Sequence, residues 1–89
     1  MPDRDLMQGW RPGLSGTDPQ AMLDQLTEAR SAVIAATHCV RVIDINARDY
    51  AGRPAELADD YERRLEVVGL LNEAADRLMA AAMHVADRV

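Results

Sequence analysis

The stretch QAMLDQLTEARSAVIAATHCVRVIDINARDYA, residues 20–51, decides the fold. It contains neither glycine nor proline, and apolar residues return along it at alternating steps of four and three. That spacing lines one side of an α-helix and is typical of helices that pack along a seam. The seam predicted to face a second helix consists of Met22, Leu26, Ala29, Val33, Ala36, Val40, Ile43, Ala47 and Tyr50.

Capping residues set the predicted bounds of this helix. Asp18 can accept hydrogen bonds from free backbone amides, and Pro19 suits the first helical position. The helix is therefore predicted over 19–51. Gly52 is suited to end it, so the turn is predicted at 52–53.

A second helix is predicted over 54–88, again beginning with a proline. Arg64 is the one charged residue on its seam. The other seam positions are Leu57, Tyr61, Val68, Leu71, Ala75, Leu78, Ala82 and Val85. Both predicted elements are helices, so we expect an all-α fold. Because the helices are similar in length and the connection is tight, they should form a long antiparallel helical hairpin, with an N-terminal arm over 1–17.

Two uncharged segments, 32–40 and 78–86, predict that the hairpin does not stand alone. A helix that is apolar on all sides is usually buried on all sides. Seven apolar residues lie off the seam and need another surface: Ile34, Val42, Ile45, Val67, Leu70, Met79 and Met83. We expect a homo-oligomer, and a dimer forming a four-helix bundle is the simplest arrangement.

Composition narrows the partners and the compartment. The formal net charge of −5 argues against DNA, because phosphate neutralisation needs a basic surface. No uncharged run approaches the ~18 residues that a membrane span requires, so no membrane is expected as a partner. The single cysteine, Cys39, cannot form an intrachain disulfide. We expect a cytoplasmic protein.

The motifs of catalysis and metal binding are missing from the sequence. The residues three positions before His38 and His84 are alanines, so the Glu-x-x-His spacing of di-metal bundles does not occur. No Ser-His-Asp or Cys-His arrangement can be recognised from spacing. We therefore expect no enzymatic activity, no metal and no cofactor.

Five residues are candidates for ligand binding. Trp10, the only tryptophan, either docks on the helices or stacks on a ligand, and the neighbouring Arg11 could contact a phosphate. Arg64 needs a reason for its charge on the seam. Met83 could contribute to an apolar wall near Trp10. His84 either hydrogen-bonds at an interface or binds the ligand.

Trp10-Arg11 in the arm, the helix lengths and the apolar C-terminal helix over 71–86 together resemble a known group. They are similar to phage-encoded sponge proteins (anti-CBASS type), which sequester cyclic oligonucleotide signals. The resemblance implies a compact oligomer that binds a small anionic signalling ligand, such as a cyclic oligonucleotide, without cleaving it. The alternative is a protein-protein interaction adaptor or regulator whose apolar helices pack on another protein.

Overall fold

The computed structural model describes residues 5–13 and 16–88. Within them lie two α-helices, α1 over Pro19–Arg41 and α2 over Pro54–Ala86, and no strand. A short 3-10 helix, Ala47–Tyr50, lies between them. The all-α prediction is confirmed for this part of the chain. Residues 1–4, 14 and 15 of the predicted arm lie outside the described residues.

Contacts at both ends of the helices show that they run antiparallel. Leu26 of α1 packs in one cluster with Ala82 and Val85 near the end of α2. At the other end, the guanidinium of Arg64 in α2 donates to the carbonyl oxygen of Ile43, just after α1. We call these the open end and the connection end of the hairpin. Leu26 and Ala82, which belong to the predicted seams of the two helices, thus lie in one cluster.

The start of α1 is held by the predicted cap. The Asp18 carboxylate accepts hydrogen bonds from the backbone amides of Gln20 and Ala21, at 3.1 and 3.2 Å, and Pro19 follows at the first helical position. These bonds satisfy two of the amides that a helix start leaves without partners.

The predicted extension of the first helix to residue 51 is wrong, because α1 ends at Arg41. Beyond it the sequence is rich in β-branched Val and Ile, which have low helix propensity. Asn46 then caps the 3-10 helix, since its side chain accepts from the Arg48 amide. The predicted seam positions Ile43, Ala47 and Tyr50 therefore do not continue α1. The four-three spacing of apolar residues continues to Tyr50, but the backbone is no longer α-helical beyond Arg41.

The turn and the second helix agree better with the sequence. Gly52 adopts a left-handed backbone conformation, with φ +75°, which glycine accepts without strain. The second helix ends at Ala86, two residues short of the predicted end, and helix ends commonly differ by that much.

The seam of α2 follows the prediction. Val68, Ala75, Ala82 and Val85 are buried, and Leu57, Arg64, Leu71 and Leu78 are half-buried. Tyr61 is the exception at 39% exposure.

The side of α1 that faces α2 differs from the predicted seam at two positions, each shifted by one residue along the sequence. Leu26, Val33 and Val40 face α2 as expected, but Ala29 and Ala36 are exposed, and their neighbours Arg30 and Thr37 take the inner positions. Thr37 is 8% exposed, and its hydroxyl donates to the Val33 carbonyl at 2.8 Å, so it is buried with its polar group satisfied. The aliphatic part of Arg30 can cover apolar surface that an alanine would leave bare.

The tightest core lies at the open end. Leu26, Ala81, Ala82 and Val85 form it, with Ala81 and Val85 fully buried. The side chains that pack around this cluster come from both helices and from the arm: Met7, Trp10, Met22, Leu23 and Leu78. The arm is thus part of the folded hairpin.

The hairpin is a single layer of two helices, with extents of 64, 29 and 17 Å. Globular domains usually enclose their core between two layers. Within the described residues, no helix combines the length and apolar content needed to cross a bilayer.

Candidate functional site

The arm forms a compact turn before α1. The Trp10 amide donates to the Met7 carbonyl at 3.0 Å, and Met7 has the left-handed φ of 69°. The Trp10 ring packs against the open-end cluster and is half-buried, so the expected alternative of docking is the one observed. The Arg11 guanidinium donates to the carbonyls of Gln8 and Trp10, at 3.4 and 3.0 Å.

Met83 and His84 lie on the same turns of α2 as the open-end cluster. Met83 is 63% exposed, whereas His84 is half-buried. The Nε2 atom of His84 is buried and has no hydrogen-bond partner among the described residues. The open end therefore holds four of the five predicted site residues, namely Trp10, Arg11, Met83 and His84. Met83 is not among the side chains that pack with Trp10 on the open-end cluster.

Arg64 does not belong with them. It precedes His84 by twenty residues of continuous helix, which places the two about 30 Å apart along α2. Its guanidinium donates to the Ile43 carbonyl at 2.7 Å and lies 5.4 Å from the centre of the Tyr61 ring. The charge on the seam thus has a structural explanation: it satisfies a carbonyl of the segment between α1 and the 3-10 helix.

Two tyrosines complete the connection end. The Tyr61 hydroxyl donates to the Ile45 carbonyl at 3.0 Å, and the Tyr50 hydroxyl donates to Asp60 at 2.5 Å. The bond to the Asp60 carboxylate raises the pKa of Tyr50 above its ordinary value, because the protonated phenol is the donor. These contacts fix the connection against the first turns of α2.

An exposed apolar surface lies along one broad side of the hairpin. Leu65, Asn72 and Met79 follow each other at seven-residue intervals on α2, so they share one side of the helix. Asn72 lines a groove with residues of α1, including Ile34, which places Ile34 on the same side. We call this surface the Asn72 face. Leu65, Met79 and Ile34 are 69, 40 and 46% exposed.

The groove in the Asn72 face is small and partly polar. It holds about 230 Å³, below the ~300–1,000 Å³ of most small-molecule pockets. Three residues with nitrogen-bearing side chains, His38, Arg41 and Asn72, line it together with Ile34 and Thr37. The sequence prediction missed Arg41 and Asn72. The sequence does show the seven-residue repeat Leu65, Asn72 and Met79, but this repeat lies outside the seam of α2 that was predicted to face α1.

The opposite broad side also carries exposed apolar residues, and part of it is covered by the arm. Val67, Ala74 and Ala81 share one line on this side, again at seven-residue intervals. Their exposure falls from 43% at Val67 through half-burial at Ala74 to zero at Ala81. Met7 and Trp10 pack on the cluster that contains Ala81, so the arm contributes to the burial at this end. Leu70, 66% exposed, lies beside Val67 on what we call the arm face.

The described residues hold no group of three or more His, Cys, Asp or Glu side chains placed to bind a metal ion. No family model, no curated protein and no solved structure matches this chain.

Proposed function

We propose that the protein is a non-enzymatic interaction module that binds another protein chain through the broad faces of its hairpin. The observation that carries the proposal is the distribution of apolar side chains. Ten large apolar residues in the described part of the chain are at least 39% exposed, whereas six hydrophobic residues are buried. In a single hairpin, more large apolar side chains are therefore exposed to solvent than are buried.

The position of these residues supports binding more than their number does. Single exposed apolar residues are ordinary on protein surfaces, but aligned ones mark interaction sites. Leu65 and Met79 are aligned on the Asn72 face, and Val67 and Leu70 lie together on the arm face. Fully burying one such side chain contributes ~1.5–3 kcal/mol, so a second layer of helices would stabilise the fold substantially.

The single unpaired thiol, Cys39, also supports an intracellular site of action in this proposal, since reduced cysteines persist in the cytoplasm.

The decisive experiment is native mass spectrometry of the protein isolated from its own cells without denaturation. We expect a complex heavier than the 9.8 kDa chain. Recovery of the chain alone, at 9.8 kDa and fully helical, would overturn the proposal.

The groove of the Asn72 face supports a second candidate, the sequestration of a small anionic ligand. His38, Arg41 and Asn72 line this groove, and their side chains make no hydrogen bond within the described residues. Arginine in particular presents donors that match carboxylate or phosphate. The class of ligand that the resemblance suggests is a cyclic oligonucleotide, although Trp10 and Arg11, which carry the resemblance, do not line this groove.

Calorimetry with a panel of cyclic dinucleotides and trinucleotides tests this candidate. Arg41→Gln should weaken binding about tenfold or more, since hydrogen bonds to a charged group are worth ~1.5–3 kcal/mol. Arg63→Gln is the matched control, because Arg63 is exposed and does not line the groove. Absence of heat across the panel, or an equal effect of both variants, would exclude a ligand held by Arg41.

A further inference from the structure

We infer that the Asn72 face is covered by a second copy of this chain, with α2 of one copy antiparallel to α2 of the other and the two-fold axis near Asn72. The inference rests on the proposed function, because it names the partner of one of the proposed binding faces. It specifies which face pairs, in which direction and at which residue.

The arm selects the face. Met7 and Trp10 already cover the open end of the arm face, where Ala81 is fully buried. The corresponding residues of the Asn72 face remain bare on both sides of its centre, with Leu65 at 69% and Met79 at 40% exposure. A second layer that ran the length of the hairpin would meet the arm on one face and unobstructed helix on the other.

A second seam on α2 makes this face able to pair with itself. Beside the seam used within the hairpin, residues on the Asn72 face again recur at steps of four and three: Leu65, Gly69, Asn72, Asp76, Met79, Met83 and Ala86. In an isologous dimer, residue i of one copy meets residue j of the other and j meets i. With the axis at Asn72, Leu65 meets Met79 of the other copy, so these two exposed apolar side chains pair with each other.

The charge in this row selects the antiparallel direction. In a parallel, in-register pair, Asp76 would face Asp76 of the other copy, and like charges placed opposite each other are destabilising. In the antiparallel pair, Asp76 maps onto position 68 of the other copy, where Gly69 is the nearest residue of the row. A side-chain atom at Gly69 would meet no atom within 4 Å in the single chain, so the space beside it is open to the partner.

Asn72 suits the centre of such a pair. Its amide offers both donors and an acceptor, so two copies related by a two-fold axis can hydrogen-bond to each other. A polar asparagine within an apolar seam is a known device for fixing register between helices. Within the described residues its side chain has no hydrogen-bond partner, so the amide is available.

The size of the face is sufficient. Stable interfaces bury ~800 Å² on each partner. The 33 residues of α2 extend about 50 Å, and the two-fold axis falls near the middle of this helix, so the two copies overlap along most of it.

A matched pair of substitutions tests the face. Leu65 and Leu70 are the same residue type on the same helix, 69 and 66% exposed, and lie on opposite faces. Sedimentation equilibrium of the purified wild-type chain should give twice 9.8 kDa. Leu65→Glu should weaken dimerisation on the order of a hundredfold, since each copy would bring a carboxylate into apolar contact. Leu70→Glu should leave the dimer intact.

Cysteine cross-linking tests the axis and does not depend on how Leu65→Glu folds. In a Cys39→Ser background, Asn72→Cys should form a disulfide-linked dimer under mild oxidation, and Leu70→Cys should not. Cross-linking at 70 but not at 72, or dissociation by Leu70→Glu, would overturn the inference. So would a purified wild-type chain that stays monomeric. If that monomer is nonetheless recovered from its cells in a complex with another protein, the proposed function survives and self-pairing does not.

Discussion

Replacing Arg64 tests whether this residue stabilises the connection between the helices or serves only as a ligand-binding charge. Arg64→Ala removes the 2.7 Å hydrogen bond to the Ile43 carbonyl and the cation–π contact with Tyr61. A hydrogen bond from a charged group contributes ~1.5–3 kcal/mol and an exposed cation–π contact ~0.5–1. Because the Arg64 bond is solvent-exposed, we take the low end and expect a loss of about 2 kcal/mol in the free energy of unfolding.

Urea denaturation followed by helicity measures this loss. With a slope of ~1–2 kcal/mol per molar urea for a small domain, the midpoint should fall by roughly 1–2 M. All variants are compared at one chain concentration, since association would make the midpoint depend on it. Arg63→Ala is the neighbouring control, because Arg63 is exposed and surface substitutions change stability by less than ~0.5 kcal/mol.

Hydrogen exchange adds a local measurement. Amides of residues 43–50 should exchange faster in Arg64→Ala, because the segment loses one of the side-chain bonds that hold it on α2. Equal midpoints for the Arg63 and Arg64 variants, with unchanged exchange at 43–50, would show that Arg64 does not hold the connection.

Two further predictions concern the arm and the connection. Trp10→Ala should lower the free energy of unfolding by about 2 kcal/mol, less than the ~3–5 of a fully buried aromatic, while Leu6→Ala should have little effect. Thermal unfolding measures both, and an unchanged midpoint for Trp10→Ala would mean that the arm does not dock. The raised pKa of Tyr50 predicts stability that is complete below the unfolded value near pH 10 and lost as pH rises through the folded value. Denaturation at alkaline pH should show a weaker pH dependence in Tyr50→Phe, and identical profiles would contradict the bond to Asp60.

The sequence was sufficient for the class of fold because caps and periodicity are local signals. Asp18 and Pro19 have the predicted role at the start of α1. Gly52 lies in the predicted turn with a left-handed φ, but the helix that it was predicted to end stops at Arg41. The seam of α2 was predictable for the same reason, since one continuous helix preserves its spacing.

The end of α1 was not predictable from local sequence. Residues 42–45 have low helix propensity, and a hydrogen-bond donor far along the chain satisfies a backbone carbonyl there. The spacing through Ile43 fits a helix, yet its carbonyl is satisfied by Arg64, which is twenty-one residues away. The exchange of Ala29 and Ala36 for Arg30 and Thr37 on the seam likewise depends on burial that spacing does not encode.

The candidate site was predicted in part. The structure gathers Trp10, Arg11, Met83 and His84 at the open end, while Arg64 lies at the connection. Sequence spacing separates Arg64 from Met83 and His84, because all three lie on one predicted helix. It could not place Trp10 and Arg11 at the open end, because that position depends on the cluster formed by both helices. The groove residues Arg41 and Asn72 come from different helices, and only the packing of α1 on α2 brings them together.

The three side-chain contacts at the connection have a consequence for the order of folding. They join residues ten, sixteen and twenty-one positions apart, whereas the cluster at the open end joins Leu26 to Val85. Short chain segments close at lower entropic cost than long ones, so contacts between near neighbours form first. We therefore expect the hairpin to fold from its connection toward its open end. The arm needs the finished cluster as its docking surface, so we expect it to dock last.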